Sequence, residues 1–506
     1  MTRLRPEPRL LPLALAILAV AAHAQQGGGS SIQPRLGFSQ SWTDNLRFSE
    51  HDKDAALITT VSPGIRIVSN SGALRGSLDY SLDGIAYLKT DRGSQLRNTL
   101  SANGVAEIVP RTFLVEAAAS IGQQNASAFG VQTPSLGSQS TAALDNPNRR
   151  EVGTLTVSPL LHGELGGLVG ADLRGNFSIT EARESSVGDS QVRGGSLRIA
   201  PLRAGVLGWY LLASTQQTRY EERRSNGNSS AVAGLNYRPN PDWAFSANAG
   251  QERDDYRAGG EGLSGFTGGL TADWTPTPRT RVSGSWQRHS YGNSHGLNFE
   301  HRMRNSSWRF SDTRSLNVGN GGAAGGVRTN YDLFFLLLAS QEPDPVKRDT
   351  LVRSMLAALG LSPEAPSSSG FVSSGPSRLH SQMLSFMLQG VRSNVTASAS
   401  RTVTSRLGAG LNEGDLADNA SVEQRSYSVT GSYRLSPVSG LSLTAARQSS
   451  QGDGANRHVR LTSLMASWNS RLGSRLSVQL GARHSRSEGT ASYTENAAYA
   501  TLTQQF

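Results

Sequence analysis

The stretch Ala498-Tyr499-Ala500-Thr501-Leu502-Thr503-Gln504-Gln505-Phe506 decides the fold. Ala498, Ala500, Leu502 and Phe506 share one face of an extended chain, with Gln504 the one polar intruder. Tyr499, Thr501, Thr503 and Gln505 share the other. A two-residue period is the period of a strand. Loose termini are usually polar, whereas a strand closing on an aromatic is expected at the end of a bacterial outer-membrane barrel. Such a strand must pair with the first one, because an open sheet edge cannot exist in lipid.

The same rhythm runs back through the chain. Leu74, Gly76, Leu78, Tyr80 and Leu82 oppose Arg75, Ser77, Asp79, Ser81 and Asp83. Leu96, Leu100, Ala102 and Ile108 oppose Arg97, Thr99, Ser101 and Glu107, and Phe113, Val115, Ala117 and Ala119 oppose Glu116 and Ser120. Val169, Ala171, Leu173 and Phe177 oppose Asp172, Arg174 and Asn176; Tyr427, Val429, Tyr433 and Leu435 oppose Ser428, Thr430, Ser432 and Arg434; Leu476, Val478, Leu480 and Ala482 oppose Ser477, Gln479 and Arg483. A soluble sandwich would alternate in the same way, but the strands are long and few apolar residues remain for a second buried layer. Charges of both signs on the polar face suit a wall that touches water, whereas Arg facing lipid near the midplane would cost roughly 2–4 kcal/mol.

Short connections rich in Pro, Gly, Asn and Asp recur at Ser71-Gly72, Pro110-Arg111-Thr112, Gly166-Gly167, Pro239 to Asp242, Thr277 to Arg279, Arg304 to Ser306, Arg392-Ser393, Pro437 to Gly440 and Gly473-Ser474. Longer polar loops at 125–150, 181–191 and 408–423 lie between them. Short turns on the periplasmic side and long loops outside are the barrel arrangement. The expected fold is therefore an all-β transmembrane antiparallel barrel of about 22 strands, within a range of 18 to 22, with a short helical insertion. Trp243 and Trp274 flank Pro-rich turns and are expected in the interfacial aromatic girdle.

Composition fits this reading. Charged residues are 17%, against ~25% in ordinary globular domains. The mean hydropathy is negative, which a barrel with a wet lumen tolerates because every second residue can be polar. There is no Cys, so thiol nucleophiles and thiolate metal sites are excluded. The formal net charge is +10, spread without a compact basic cluster, and nucleic acid is not expected as a partner. Basic residues suit outer-membrane lipid and lipopolysaccharide outside, or an anionic polysaccharide within. Arg3, Arg5 and Arg9 precede an apolar run from Leu10 to Ala22, and Ala22-His23-Ala24 is a small-x-small cleavage site. Residues 1–24 read as a signal peptide cut near Ala24-Gln25, leaving 25–506 as the barrel. The location expected is the Gram-negative outer membrane.

One segment, 311–381, breaks the alternation. Tyr331 to Ala339 is strongly apolar without a period of two, and Asp344-Pro345 resembles an N-cap followed by proline at the first helical position. Gly360 stands where a C-cap glycine belongs. Helices are expected at 331–341 and 345–359, with Phe334, Phe335, Leu337, Leu351, Met355 and Leu359 as the apolar residues of a plug or cap. The lumen is expected to be lined by Arg75, Asp79, Arg97, Glu116, Asp172, Arg174, Glu300, Arg302, Arg309, Arg434 and Arg483.

The run YDLFFLLLASQEPDPVKRDTLVRSMLAALGLSPEAP resembles the helical insertion of a family of outer-membrane barrels associated with the PEP-CTERM/exosortase sorting system and with exopolysaccharide loci. LDYSLDGIAYL and AEIVPRTFLVEAAASIGQQNASAFG are similar to the same family's N-terminal region. The resemblance implies a barrel, a compartment and a context of surface polysaccharide, with export-machinery proteins as partners. It supplies no catalytic residues.

No HExxH motif and no phosphate loop is present, no metal-ligand spacing appears, and no cofactor or metal is expected. Gly292-Asn293-Ser294-His295-Gly296 matches GxSxG, but a nucleophile elbow needs a following helix. With His289, His301, Ser290 and Asp255 nearby in order, a surface hydrolase is the alternative; the main expectation is no enzyme. The function expected is a conduit or gated pore linked to exopolysaccharide export, with a non-conducting docking protein as the competing class.

Overall fold

The computed structural model describes residues 29–506 except 89, 91–92, 135–145, 184–188, 204, 222–224, 257–261, 318–328, 339–341, 343–344, 360–369, 373–374, 408–413 and 455–456. The signal-peptide reading, Asp344 and Gly360 lie outside the described residues, as does the side chain of Leu359.

The first eleven strands are β1 (Ser30–Thr43), β2 (Ala56–Asn70), β3 (Leu74–Leu88), β4 (Gln95–Val109), β5 (Phe113–Asn125), β6 (Arg149–Leu165), β7 (Val169–Ala182), β8 (Ser190–Pro201), β9 (Leu207–Tyr220), β10 (Asn226–Asn240) and β11 (Trp243–Asp254). The rest are β12 (Leu263–Thr277), β13 (Thr280–His289), β14 (Gly292–Arg302), β15 (Ser306–Asn317), β16 (Ser377–Gln389), β17 (Ser393–Arg406), β18 (Ser421–Arg434), β19 (Ser439–Gly452), β20 (His458–Arg471), β21 (Leu476–Gly489) and β22 (Tyr493–Gln505). Among the described residues three helices accompany them: α1 (Asn330–Leu337), α2 (Pro345–Leu359) and the single turn α3 (Asp415–Asp418).

All 22 strands belong to one sheet, each antiparallel to the next. β22 returns to β1, in register from Arg35↔Gln505 to Thr43↔Ala497. The Phe506 amide donates to the Pro34 carbonyl at 3.0 Å. This closure removes the edge that lipid would not tolerate. A ring of this size encloses a lumen too wide for wall side chains to fill.

The faces are inverted relative to a water-soluble protein. In β1, Ile32, Leu36, Phe38 and Trp42 are exposed while Ser39, Ser41 and Thr43 are buried. In β19, Leu441 and Leu443 are exposed while Ser442, Thr444, Gln448 and Ser450 are buried. An apolar band this extensive on the outer surface would be untenable in water. It is the surface of an outer-membrane β-barrel, which the hydrocarbon covers.

The start of β1, the C-terminus and most of the short connections share one end of the barrel, the exceptions being the tight β13–β14 and β21–β22 hairpins at the other. At the short-turn end Gly166 and Gly167, at φ of 60° and 67°, join β6 to β7, the paired left-handed conformation of a tight hairpin. The long connections share the other end, so the insertion leaves β15 and enters β16 at the long-loop rim.

Three expectations need correction. The insertion is narrower than 311–381, because 311–317 and 377–381 pair in register within β15 and β16. Asp312 and Arg314 stand on the outward face there, so the apolar alternation that marks a strand is missing. The first helix begins one residue earlier than expected, at Asn330, and is described to Leu337; 339–341 of the expected 331–341 lie outside the described residues. The loop expected at 408–423 contains α3 and the start of β18.

Candidate functional site

The helices α1 and α2 form a small body inside the ring. Leu333, Phe334, Leu337, Leu338, Val352, Met355 and Leu356 bury one another, with Tyr331, Phe335 and Leu351 packed alongside. From the wall, Met387 and Met383 of β16 join this cluster. Arg348 lies 4.1 Å over the Phe335 ring and Arg353 4.9 Å over the Tyr331 ring.

Polar contacts reach the far wall. Asp349 of α2 pairs with Arg66 of β2. Arg353 bonds Asp349 at 3.0 Å and Asp79 of β3 at 3.2 Å, and Asp79 also pairs with Arg35 of β1 at 2.5 Å. The result is an alternating chain, Arg35–Asp79–Arg353–Asp349–Arg66, that ties one helix to three strands. Tyr331 donates its hydroxyl to Asp349 at 2.8 Å. Burial, and then the neighbouring Asp349 carboxylate, push the Tyr331 hydroxyl up, which keeps its proton in place. Burial also pushes on Asp349 upward, but Arg353, Tyr331 and Arg66 outweigh it and hold that carboxyl below the ordinary range.

The body touches β16, β18 and β19 on one side and β2 and β3 further round the ring, and so stands within the lumen. Arg66, Asp79 and Met387 are all near the short-turn ends of their strands. The insertion therefore starts at the long-loop rim and reaches down to the opposite end.

The long-loop rim is itself laced together. Asp415 accepts from Ser127 Oγ at 2.8 Å and from the Ala128 amide at 2.5 Å. Ala128, Phe129, Leu416 and Val422 pack there with Phe371. Tyr493 donates to the Gln132 carbonyl at 2.5 Å, and its ring meets Phe48 edge-on at 5.0 Å.

The expected lining residues fall on inward faces, but several are not in open water. Arg483 and Glu495 form a two-pronged pair at 2.8 and 2.9 Å, with side chains 2% and 0% exposed. Asp79 is 6% exposed, held by its two arginines. Glu116 pairs with Arg174, Asp172 with His162, and Glu300 with Arg309. Arg97 stands in register with Asp83. Arg75, Arg302 and Arg434 stand near the short-turn end, at the termini of β3, β14 and β18.

No family model matches this sequence, and no curated protein matches it. Solved structures do resemble it. The FrpB iron transporter from Neisseria meningitidis, in its F5-1 apoprotein form, is 10% identical with a TM-score of 0.49 over 94% of this chain and 81% of that one. The siderophore receptor PirA from Pseudomonas aeruginosa is 10% identical with a TM-score of 0.43, over 94% and 80%. OccAB4 from Acinetobacter baumannii is 7% identical with a TM-score of 0.32, over 95% and 99%. Identities this low concern architecture alone.

Around the GxSxG match, the structure rearranges the expected partners. Ser294 lies within β14, with strand on both sides rather than a strand-to-helix turn. His301 sits at the opposite end of β14, bonded to Thr280 at 2.9 Å. Asp255 accepts from the Gly227 amide. Instead, His289 Nε2 meets Ser294 Oγ at 3.1 Å, and His289 Nδ1 meets Glu252 at 3.1 Å. Glu252 also accepts from Asn228 at 2.6 Å. These residues come from β11, β13 and β14, so only the register could reveal them. Trp243 and Trp274 are direct cross-strand partners, stacked at 5.4 Å, and Phe245 and Tyr237 extend the stack beside the short turns.

Proposed function

We propose that this outer-membrane barrel is a gated conduit serving export or assembly of an exopolysaccharide, with α1 and α2 as the gate. The ion chain from Arg35 to Arg66 through α2 carries this reading. The helix pair keeps most of its apolar core to itself. Among the described residues, leaving the wall would uncover Met383 and Met387 of the barrel, at about 1.5–3 kcal/mol for each fully buried side chain. Its other ties are ionic and can be exchanged for water, which suits a body that docks and releases.

The polysaccharide assignment rests on the resemblance of the insertion to barrels of exopolysaccharide loci, and on arginines along the inner wall. It is tested by current block. A variant lacking 331–359, held in a planar bilayer, should be interrupted by an anionic polysaccharide and not by a neutral one of equal length. Interruption by neither would contradict the assignment. A protein that inserts, never conducts and binds no glycan would favour the docking class instead.

A second reading is a rim hydrolase, favoured by the Glu252–His289–Ser294 relay. Glu252 would fix the His289 tautomer so that Nε2 accepts the Ser294 proton, as in serine hydrolases. Labelling of wild type by a fluorophosphonate, abolished in both Ser294→Ala and His289→Ala, would support it. An unlabelled wild type would dismiss it.

A further inference from the structure

We propose that the outer wall of the barrel carries a site for a divalent metal ion of the zinc class, held by His295, Asp312 and His380. The three residues stand on the adjacent strands β14, β15 and β16. Asp312 Oδ1 lies 3.2 Å from His295 Nε2 and 2.9 Å from His380 Nε2. All three donor atoms lie within 4.8 Å of one another, the one such group among the described residues.

The spacing is close to what an ion needs. Ligands bound at about 2.0–2.1 Å in a tetrahedron stand roughly 3.3 Å apart. A small spreading of the three atoms therefore admits the ion, which would replace the protons now shared between the imidazoles and the carboxylate. Gln382 donates to Asp312 Oδ2 at 2.9 Å, so the carboxylate is oriented from behind and Oδ1 faces the two rings. Such outer partners are a usual part of metal sites. Two imidazoles and one carboxylate suit zinc-class ions, whereas Mg²⁺ and Ca²⁺ favour oxygen ligands. Three protein ligands leave a fourth position for water.

The side chains belong to the outward face. Leu297, Trp308 and Leu384 occupy the same alternating positions and are exposed as part of the apolar band. His295 and His380 stand on that face three residues from the long-loop ends of β14 and β16, and Asp312 stands level with Leu297 of the band. Their side chains are 36%, 21% and 30% exposed, so the site is open on its outer side. Arg314 lies in register between His295 and His380, and its positive charge opposes a cation there.

The test uses the purified, tag-free, chelator-stripped barrel in detergent, titrated with ZnCl₂ by calorimetry. One saturable ion per chain is expected. His380→Ala and Asp312→Asn should each weaken binding at least tenfold, while His484→Ala leaves it unchanged. A heat-modifiable gel shift checks that each variant is folded. Independently of any variant, Co²⁺ added to the wild type should give the intense visible bands of a four-coordinate ion. Absence of saturable zinc uptake, undiminished binding in folded His380→Ala, or a Co²⁺ spectrum identical to the aqua ion would each overturn the proposal.

Discussion

Asp349 of the insertion and Arg66 of the barrel wall form an ion pair across 283 residues of sequence, with both side chains only 18% exposed. The contact places a segment that starts at the long-loop rim beside the short-turn end of β2. A partly buried pair inside a pore is a more consequential tie than one on a surface, because removing one partner leaves the other poorly solvated.

Reversing one charge should release the gate. In Asp349→Arg, repulsion from Arg66 should raise the open fraction of single channels by about fivefold, corresponding to roughly 1 kcal/mol. The double variant Arg66→Asp with Asp349→Arg should recover much of the closed state. A double variant as open as the single ones would show that the pair does not couple the two elements.

The pH dependence follows from the depressed Asp349 carboxyl. A carboxylate held below its ordinary pKa of about 3.9 contributes its anchoring at higher pH, and loses it as pH falls through the lower docked-state value. Conductance should stay constant from neutral pH down to about 5 and rise only below about 4. Asp349→Asn should flatten that acid rise and open the channel at neutral pH, as single-channel recordings across pH would reveal.

Much of this architecture was legible in the chain. The period of two survives wherever hydrocarbon faces one side of the wall and water the other, so the strands and most short turns could be read directly. The β8–β9 connection escaped because it carries exposed Leu202 and Val206 in place of a dense run of turn-forming residues. The helices were announced by the apolar run around Phe334 and by Pro345. What holds them was not: Arg66 reads as one more inward arginine until the ring is closed. Glu252, His289 and Ser294, like His295, Asp312 and His380, meet only through strand register, which no local spacing encodes.

The Arg483–Glu495 pair sits among wall residues, with Thr43 donating to Glu495 at 3.0 Å. Glu495→Ala strands a buried guanidinium and should cost about 3–5 kcal/mol. The temperature at which the folded band converts on heated gels should drop clearly. Replacing both residues by apolar ones of similar volume should cost much less; equal losses would mean that packing, not charge, matters there.

The stacked Trp243 and Trp274 should mark the periplasmic interface. Their fluorescence in vesicles should be quenched most by lipids brominated close to the headgroup, and least by those brominated near the chain end. Maximal quenching by deep bromines would displace the girdle and shift the barrel's position in the bilayer.

The most direct measurement compares planar-bilayer conductance of the wild type with that of a variant lacking 331–359. With the helix pair gone from the lumen, unit conductance should rise severalfold while the barrel stays folded by heat-modifiable gel shift. Equal conductance from the two folded proteins would mean that the insertion does not close the pore.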